Sequence, residues 1–183
     1  MNQFTNKLLV ALPNIKTGIF HKSVVFMHGK DTDGAIGFVI NKKYPTSRAK
    51  FIASQLKLND HTKIYFGGPV EQQTGFVLHS NEYKSEKTAM LIDGIHFTPG
   101  VDILKDIQDK KGPQDFMIIL GHSAWAPGQL ELEIGGKPPF EQPNWVVTEP
   151  SMEYFYGKMD TVQSWDRGLR KTAKDLSSFL LDR

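Results

Sequence analysis

The stretch Ser23–Ile40 reads SVVFMHGKDTDGAIGFVI, and it decides the fold class. It contains two apolar runs, Ser23–His28 and Ala35–Ile40, which are rich in β-branched and aromatic residues typical of strands. The segment between them, Gly29–Gly34, is short and rich in turn-forming Gly and Asp. Two such runs joined by an Asp/Gly loop predict a β-hairpin, and therefore antiparallel strands in the sheet.

The rest of the chain alternates short strands with fewer helices. Predicted strands are residues 7–12, 23–28, 35–40, 63–66, 76–79, 90–92, 95–97 and 116–120. Predicted helices are Ser47–Leu56, one that opens at Thr98–Pro99, and a C-terminal helix with an apolar stripe from Val162 to Leu180. This order predicts an α+β fold with a largely antiparallel sheet in a single domain, 1–183. The proline-rich stretch 135–144 is expected to be a surface loop.

Composition limits the chemistry. The 183 residues include no cysteine, which excludes disulfides, thiolate nucleophiles and cysteine-held metals. The apolar run Leu8–Leu12 ends at Pro13, and it is shorter than the roughly 7–15 residues of a signal peptide or the roughly 20 of a membrane helix. We therefore expect a cytoplasmic protein with no membrane association.

The net charge of +2 is too small to indicate nucleic-acid binding by itself. The tightest basic groups are Lys42–Lys43 and the set Arg167, Arg170, Lys171 and Lys174. The second group is best interpreted as a solvated helix face, and direct binding of nucleic acid is not favoured.

The segment Gly121–Trp125 resembles a nucleophile elbow, because Ser123 follows an apolar strand and precedes a possible helix at Pro127. Two features argue against a serine hydrolase. Trp125 occupies the position where the elbow needs a small residue, and no histidine follows His122 to act as the base. Catalytic residues are therefore assigned to none of these positions.

Metal and phosphate motifs are incomplete. The six histidines have no metal-ligand spacing, and Asp31 and Asp33 lack the rest of a calcium loop. Gly67–Pro69 lacks the lysine of a phosphate loop, so its glycines are expected to allow turns or close packing, with a ligand at the exposed backbone as the alternative. No metal and no cofactor are predicted. Gln129 and Glu131 near Trp125 are expected to line a polar groove with an aromatic wall.

Four segments together resemble the AlgH/YqgE family of bacterial proteins. They are LLVALP at residues 8–13 with Phe20 and Ser23–Val25, GAIGFVIN at 34–41, GGPV at 67–70 with GFVLH at 75–79, and the segment from Gly121 through Trp125 and Gly128–Glu131 to Glu133–Ile134. Trp145 and Trp165 follow in the expected places. The chain departs from the family pattern after Ile134, where it inserts the proline-rich stretch.

The resemblance implies a partly barrel-like sheet flanked by helices. The family is largely uncharacterised, and some members are described as transcriptional regulators because they affect gene expression. We expect a non-catalytic regulatory or adaptor protein that binds an unknown protein or small molecule. The expected binding residues are Asn41, Gly67, Gly68, Pro69, His79, His122, Trp125, Gly128, Gln129 and Glu131. The alternatives are a hydrolase-type enzyme that uses Ser123 or His122 with Glu131, and a direct DNA-binding regulator.

Overall fold

A computed structural model describes residues 4–31 and 34–181. Its strands are β1 Leu8–Ala11, β2 Val24–Asp31, β3 Gly34–Val39, β4 Ile64–Phe66, β5 Val70–His79, β6 Ala89–Ile92, β7 Ile95–Pro99, β8 Phe116–Trp125 and β9 Trp145–Thr148. Its helices are α1 Thr46–Gln55, α2 Asp102–Gln108, α3 Gln129–Gly135 and α4 Thr161–Leu181, with a 3-10 turn at Met152–Tyr154. The predicted α+β class is confirmed.

The strands form one curled half-barrel sheet with the order β6-β7-β5-β8-β3-β2-β1-β9, and β4 pairs with β8 beside this path. Every pairing is antiparallel except that of β4 with β8. The hairpin predicted from Ser23–Ile40 is confirmed, since Asp31 pairs with Gly34. Its tip, which includes Asp33, lies outside the described residues.

Strand β8 is the centre of the sheet because it pairs with three other strands, β3, β4 and β5. Its first half pairs with β5 and β4, and its second half pairs with β3, through Ser123 opposite Gly37 and Trp125 opposite Ala35. Gly121 lies between the halves with a φ of 72°, a left-handed conformation that favours glycine. The strand therefore bends at Gly121 and passes from one half of the sheet to the other.

Three apolar clusters fill the part of the molecule that the structure describes. One lies inside the curl and takes residues from β1 through β8, together with Tyr154 and Phe155. A second lies outside the curl under α3 and includes Trp125, Leu130 and Trp145. A third lies under α1 and α2. The curled sheet is thus packed on its inner face and on both outer flanks.

The long C-terminal helix α4 packs across β1, β2 and β9. Its apolar positions recur at helical spacing, as the sequence predicts. Gly168 lets the helix approach the sheet, because a Cβ there would lie 2.7 Å from Cγ2 of Val10. The Trp165 indole nitrogen donates a hydrogen bond to the Ala11 carbonyl at 2.6 Å, which fixes the helix along the sheet.

Two local predictions are wrong. Thr98 and Pro99 end strand β7 instead of opening a helix, and α2 begins three residues later at Asp102. The strand predicted to stop at Leu120 continues to Trp125, so Ser123 lies within a strand and not on a strand-to-helix turn. Trp145–Thr148 is a strand that the sequence pattern does not reveal, and it pairs with all of β1.

The segment Gly67–Gly68 packs against the bend in β8. A Cβ on Gly67 would lie 2.2 Å from the Gly121 carbonyl oxygen, and one on Gly68 would lie 2.2 Å from the His122 carbonyl carbon. Backbone meets backbone here, so no flexible side chain can move aside. The prediction that these glycines permit close packing is therefore supported by the geometry.

We expect Gly67→Ala to lower the free energy of unfolding by about 3 kcal/mol or more, since the added methyl has no space. Urea unfolding followed by circular dichroism measures this difference. Gly75→Ala is the control, because its Cβ would meet only the end of the Leu120 side chain at 3.5 Å. Equal unfolding midpoints for the two variants would contradict the close-packing interpretation.

Candidate functional site

Asn41 holds the beginning of β2 to the beginning of α4. Its side-chain oxygen accepts a hydrogen bond from the Val24 amide at 2.8 Å, and its side-chain nitrogen donates to the carbonyls of Lys22 and Thr161 at 3.0 Å. The Thr161 hydroxyl donates back to the Asn41 carbonyl at 2.7 Å. Every polar group of the Asn41 side chain is thus used within the fold.

His79 is fully buried, and both of its ring nitrogens are bonded. Nδ1 lies 2.9 Å from the Ser80 carbonyl, which can only accept, so Nδ1 carries the proton. Nε2 then accepts from the Thr98 hydroxyl at 2.8 Å. Burial lowers the pKa of His79 and outweighs the bond to Ser80, which raises it. The neutral ring is therefore the form that the fold favours.

Trp125 belongs to the outer core and not to an open surface. Only 4% of it is exposed, and its ring stacks on Phe20 and meets Trp145 edge-on at 6.1 Å. The aromatic wall that the sequence predicts beside Gln129 and Glu131 is therefore covered, and this expectation needs correction. The large indole anchors the second half of β8 instead.

A buried carboxylate, which sequence reasoning did not select as a site residue, lies next to this core. Glu133 accepts a hydrogen bond from the Trp145 indole nitrogen at 2.6 Å and another from the Gln129 side chain at 2.8 Å. The Gln129 oxygen in turn accepts from the Ala126 amide at 3.0 Å. These bonds connect α3 to β8 and β9, and they occupy the amide of Gln129.

The remaining candidates differ in exposure. Gly128 is exposed and precedes α3 in a left-handed conformation, and Pro69 is exposed between β4 and β5. Glu131 is half-buried on α3. Gly67 and Gly68 are buried against β8. His79 pairs with Phe116 and His122 pairs with Val70, so the two histidines lie at different ends of β8.

Ser123 and His122 point to opposite faces of the sheet because they are adjacent in a strand. Ser123 is fully buried, and its hydroxyl donates to the Gly67 carbonyl at 3.1 Å. An approaching substrate would meet packed backbone there. His122 points into the curl, on the face shared with Ile36 and Phe38, since Ile36 pairs with Ala124.

His122 belongs to an aromatic cluster at one end of the curled sheet. Its ring lies edge-on to Phe76, with 6.3 Å between the ring centroids. The ring centroid of Phe76 lies 4.9 Å from that of Phe38 and 5.7 Å from that of Phe97. His28 stacks on Phe97 at 4.7 Å. We call this cluster, with the neighbouring Ile36, the barrel mouth. Ile36 there is 41% exposed.

The two histidines of the barrel mouth, like His96 and several core hydroxyls, have a buried polar atom without a bond to any described residue. Nδ1 of His28 and Nδ1 of His122 are both buried, and neither has a hydrogen-bond partner within the described part of the chain. Burial lowers the pKa of His28, which favours its neutral ring. A neutral imidazole can donate or accept at Nδ1, depending on its tautomer. Of the residues selected from sequence, only His122 lies here.

Two negative findings apply to the described residues. They contain no group of three or more acidic or histidine side chains that could hold a metal ion. None of their helices is long and apolar enough to cross a membrane.

We expect Trp145→Phe to lower the free energy of unfolding by about 2 kcal/mol, because it removes the hydrogen bond from the indole nitrogen to the buried Glu133 carboxylate. Trp165→Phe removes an equally short bond to a neutral carbonyl, and we expect about 1 kcal/mol. Chemical denaturation of both variants measures the contrast. A loss at Trp145 no larger than that at Trp165 would show that the Glu133 contact adds nothing.

We expect the free energy of unfolding to fall as the pH drops from neutral towards 5. The unfolded chain binds a proton near the ordinary histidine pKa of 6.5, whereas the folded pKa of His79 is lower. The contribution of neutral His79 to the free energy of unfolding is therefore present above the ordinary pKa, and it is lost as the pH falls through the folded pKa of His79. In His79→Gln the decrease of this free energy with falling pH should be shallower than in the wild type, and pH-dependent urea unfolding measures it; equal pH dependence would contradict a role for His79.

Comparison with known proteins places the chain in a family. A family model described as AlgH-like matches residues 8–177. A UPF0301 protein from Ruegeria pomeroyi is 33% identical over 173 residues, which cover 91% of this chain and 90% of that protein. Another from Allorhizobium ampelinum is 39% identical over 137 residues, covering 69% of this chain and 68% of that one.

Two solved structures agree with the fold. The solution structure of the AlgH protein from Pseudomonas aeruginosa matches with a TM-score of 0.71 and 26% identity, over 100% of this chain and 98% of that one. A crystal structure of a Corynebacterium diphtheriae protein matches in fold with a TM-score of 0.68 at 20% identity, over 93% and 88%. The family model and the relatives together show that this chain belongs to the AlgH/YqgE family.

Proposed function

We propose that the protein is a non-catalytic binding protein of regulatory or adaptor type that takes a small aromatic ligand at the barrel mouth. This proposal rests on two buried Nδ1 atoms without a hydrogen-bond partner among the described residues, those of His28 and His122, which lie beside the rings of Phe97 and Phe76. This combination supplies both apolar contact and directional hydrogen bonds, as small-molecule sites usually do.

The energetics support a ligand at this position. A buried polar atom without a partner costs about 1–3 kcal/mol, so folded proteins leave few of them. A ligand with a donor or acceptor at its edge would satisfy one or both imidazoles after displacing the side chains that cover Nδ1. Its flat apolar body would pack against Phe76 and the exposed Ile36, burying surface that now faces water. The mouths of barrel-like sheets are frequent places for such sites.

The non-catalytic part of the proposal rests on how the suspected nucleophile is used. The Ser123 hydroxyl is bonded to the Gly67 carbonyl, and His122 points to the opposite face of the sheet. A hydrolase built on this pair would need both groups on one side of the strand. A cysteine-free composition fits the reducing cytoplasm, where we expect the protein to act.

The regulatory part follows from the resemblance to family members that affect gene expression. We propose that occupancy of the barrel mouth alters a surface that a protein partner recognises. The β2–β3 hairpin is the natural connection, since it carries both His28 and Ile36. On this proposal the effect on transcription is indirect and needs no reading of DNA by this chain.

Binding of N-phenyl-1-naphthylamine, a neutral aromatic amine that fluoresces in apolar sites, tests the proposal. We expect saturable binding by the wild type and about tenfold weaker binding by His122→Ala and by Ile36→Lys. Val162→Lys is the control, because it changes an apolar residue of similar exposure on α4. Identical titrations for all variants, or no saturable binding by the wild type, would overturn the barrel mouth as the site.

The histidine signals provide a second readout. In nitrogen-15 spectra of the imidazoles, the bound probe should shift Nδ1 of His28 and His122 and leave His79, whose nitrogens are already bonded, unchanged. Shifts confined to His79 would contradict the assignment.

A further inference from the structure

The segment Lys42–Lys63 concentrates positive charge far beyond the chain average. Six of its 22 residues are basic and one, Asp60, is acidic, which gives a net charge of +5. The whole chain carries only +2, so the rest of the sequence is net negative. Charge of one sign gathered in one segment attracts ligands of the other sign.

The fold arranges these charges around one aromatic ring. Tyr44 lies between two grooves, one of about 370 Å³ with Lys42, Arg48 and Phe66 in its wall, the other of about 210 Å³ with Lys50 and Lys63. Lys43 lines both. The larger volume is in the range of small-ligand sites. We call the two together the basic groove.

Nearby acids balance these cations only in part, since Asp60 lines the smaller groove and Asp160 acts on Lys43. None of the basic residues that line the groove forms an ion pair with a carboxylate of the described residues. The Lys42 ammonium donates to the neutral Ile19 carbonyl at 2.6 Å. Burial lowers the pKa of Lys43, the nearby Lys63 lowers it further, and Asp160 offsets part of the effect. An anion placed between these lysines would relieve that repulsion.

The beginning of α1 adds to the positive potential. The helix follows Pro45, no side chain of the described residues caps it, and its first turn contains no acidic residue. Free backbone N–H groups at a helix N-terminus favour negative charge. They reinforce the lysines here and would not form a site without them.

The aromatic part suits a planar ring. Tyr44 meets Phe66 edge-on at 5.9 Å, and the Arg48 guanidinium lies over the Tyr44 ring at 4.9 Å. Aromatic rings and guanidinium planes are the surfaces on which nucleobases stack. Lysines next to such a surface are placed for phosphate groups.

We propose that the basic groove binds a nucleotide, with its phosphates between Lys43 and Lys63 and its base against Tyr44. A mononucleotide fits better than a nucleic-acid strand because the cations surround one ring and do not extend along the sheet. The site is separate from the barrel mouth, so either proposal can fail while the other stands.

The test is fluorescence anisotropy with N-methylanthraniloyl-ATP and unlabelled competitors. We expect saturable binding that weakens when salt rises from about 0.05 M to about 0.5 M. Lys43→Gln combined with Lys63→Gln should weaken it about tenfold. Lys84→Gln combined with Lys111→Gln, at exposed positions elsewhere, should stay within about twofold of the wild type.

Competitors separate the parts of the ligand. ATP should compete best, tripolyphosphate less well and adenosine least, and Tyr44→Ala should weaken ATP more than tripolyphosphate. The proposal is overturned if both lysine pairs behave alike, or if neither ATP nor tripolyphosphate binds. It is also overturned if a single-stranded oligonucleotide competes far better than ATP, since that result assigns the groove to nucleic acid.

Discussion

The contact between Gly67–Gly68 and the bend at Gly121 is the constraint on which the sheet depends. Backbone packs on backbone there at distances that leave no space for a Cβ. Because the chain comes this close, β4 can pair with the first half of β8 while the second half turns towards β3. One strand therefore joins both halves of the sheet, and the sheet curls around an interior that its own side chains fill.

The same bend determines the chemistry of the residues that follow it. In a strand, neighbouring side chains alternate between faces, so the bend fixes which of His122 and Ser123 enters the curl. Ser123 turns to the Gly67 carbonyl and helps hold the bend, and His122 joins the aromatic interior. A sequence that resembles a nucleophile elbow thus forms a strand in which the two polar groups separate.

Local patterns allowed prediction of the elements that depend on local physics. The β2–β3 hairpin and the amphipathic α4 follow from alternation, turn residues and helical spacing. The helix start predicted at Thr98–Pro99 is wrong because pairing with β5 and the hydrogen bond from Thr98 to His79 outweigh the local signal. The short strand at Trp145 depends on β1 and Glu133, both distant in sequence. The barrel mouth is equally invisible from spacing, since His28 and His122 reach the same phenylalanine cluster only through the pairing of distant strands.

Residues whose polar groups are bonded within the fold serve the structure, and this separates them from candidates for ligand binding. Asn41, Gly67, Gly68 and Trp125, which contribute to the family resemblance, all use their special properties inside the structure. Residues of this kind identify the family because the curled sheet requires them, and family membership by itself does not fix an activity. The Nδ1 atoms of the barrel mouth have no hydrogen-bond partner, and the lysines of the basic groove have no ion-pair partner, among the described residues. A buried polar atom without a partner costs folding free energy, and neighbouring like charges repel. A ligand that bonds these groups removes both costs, which strengthens its binding.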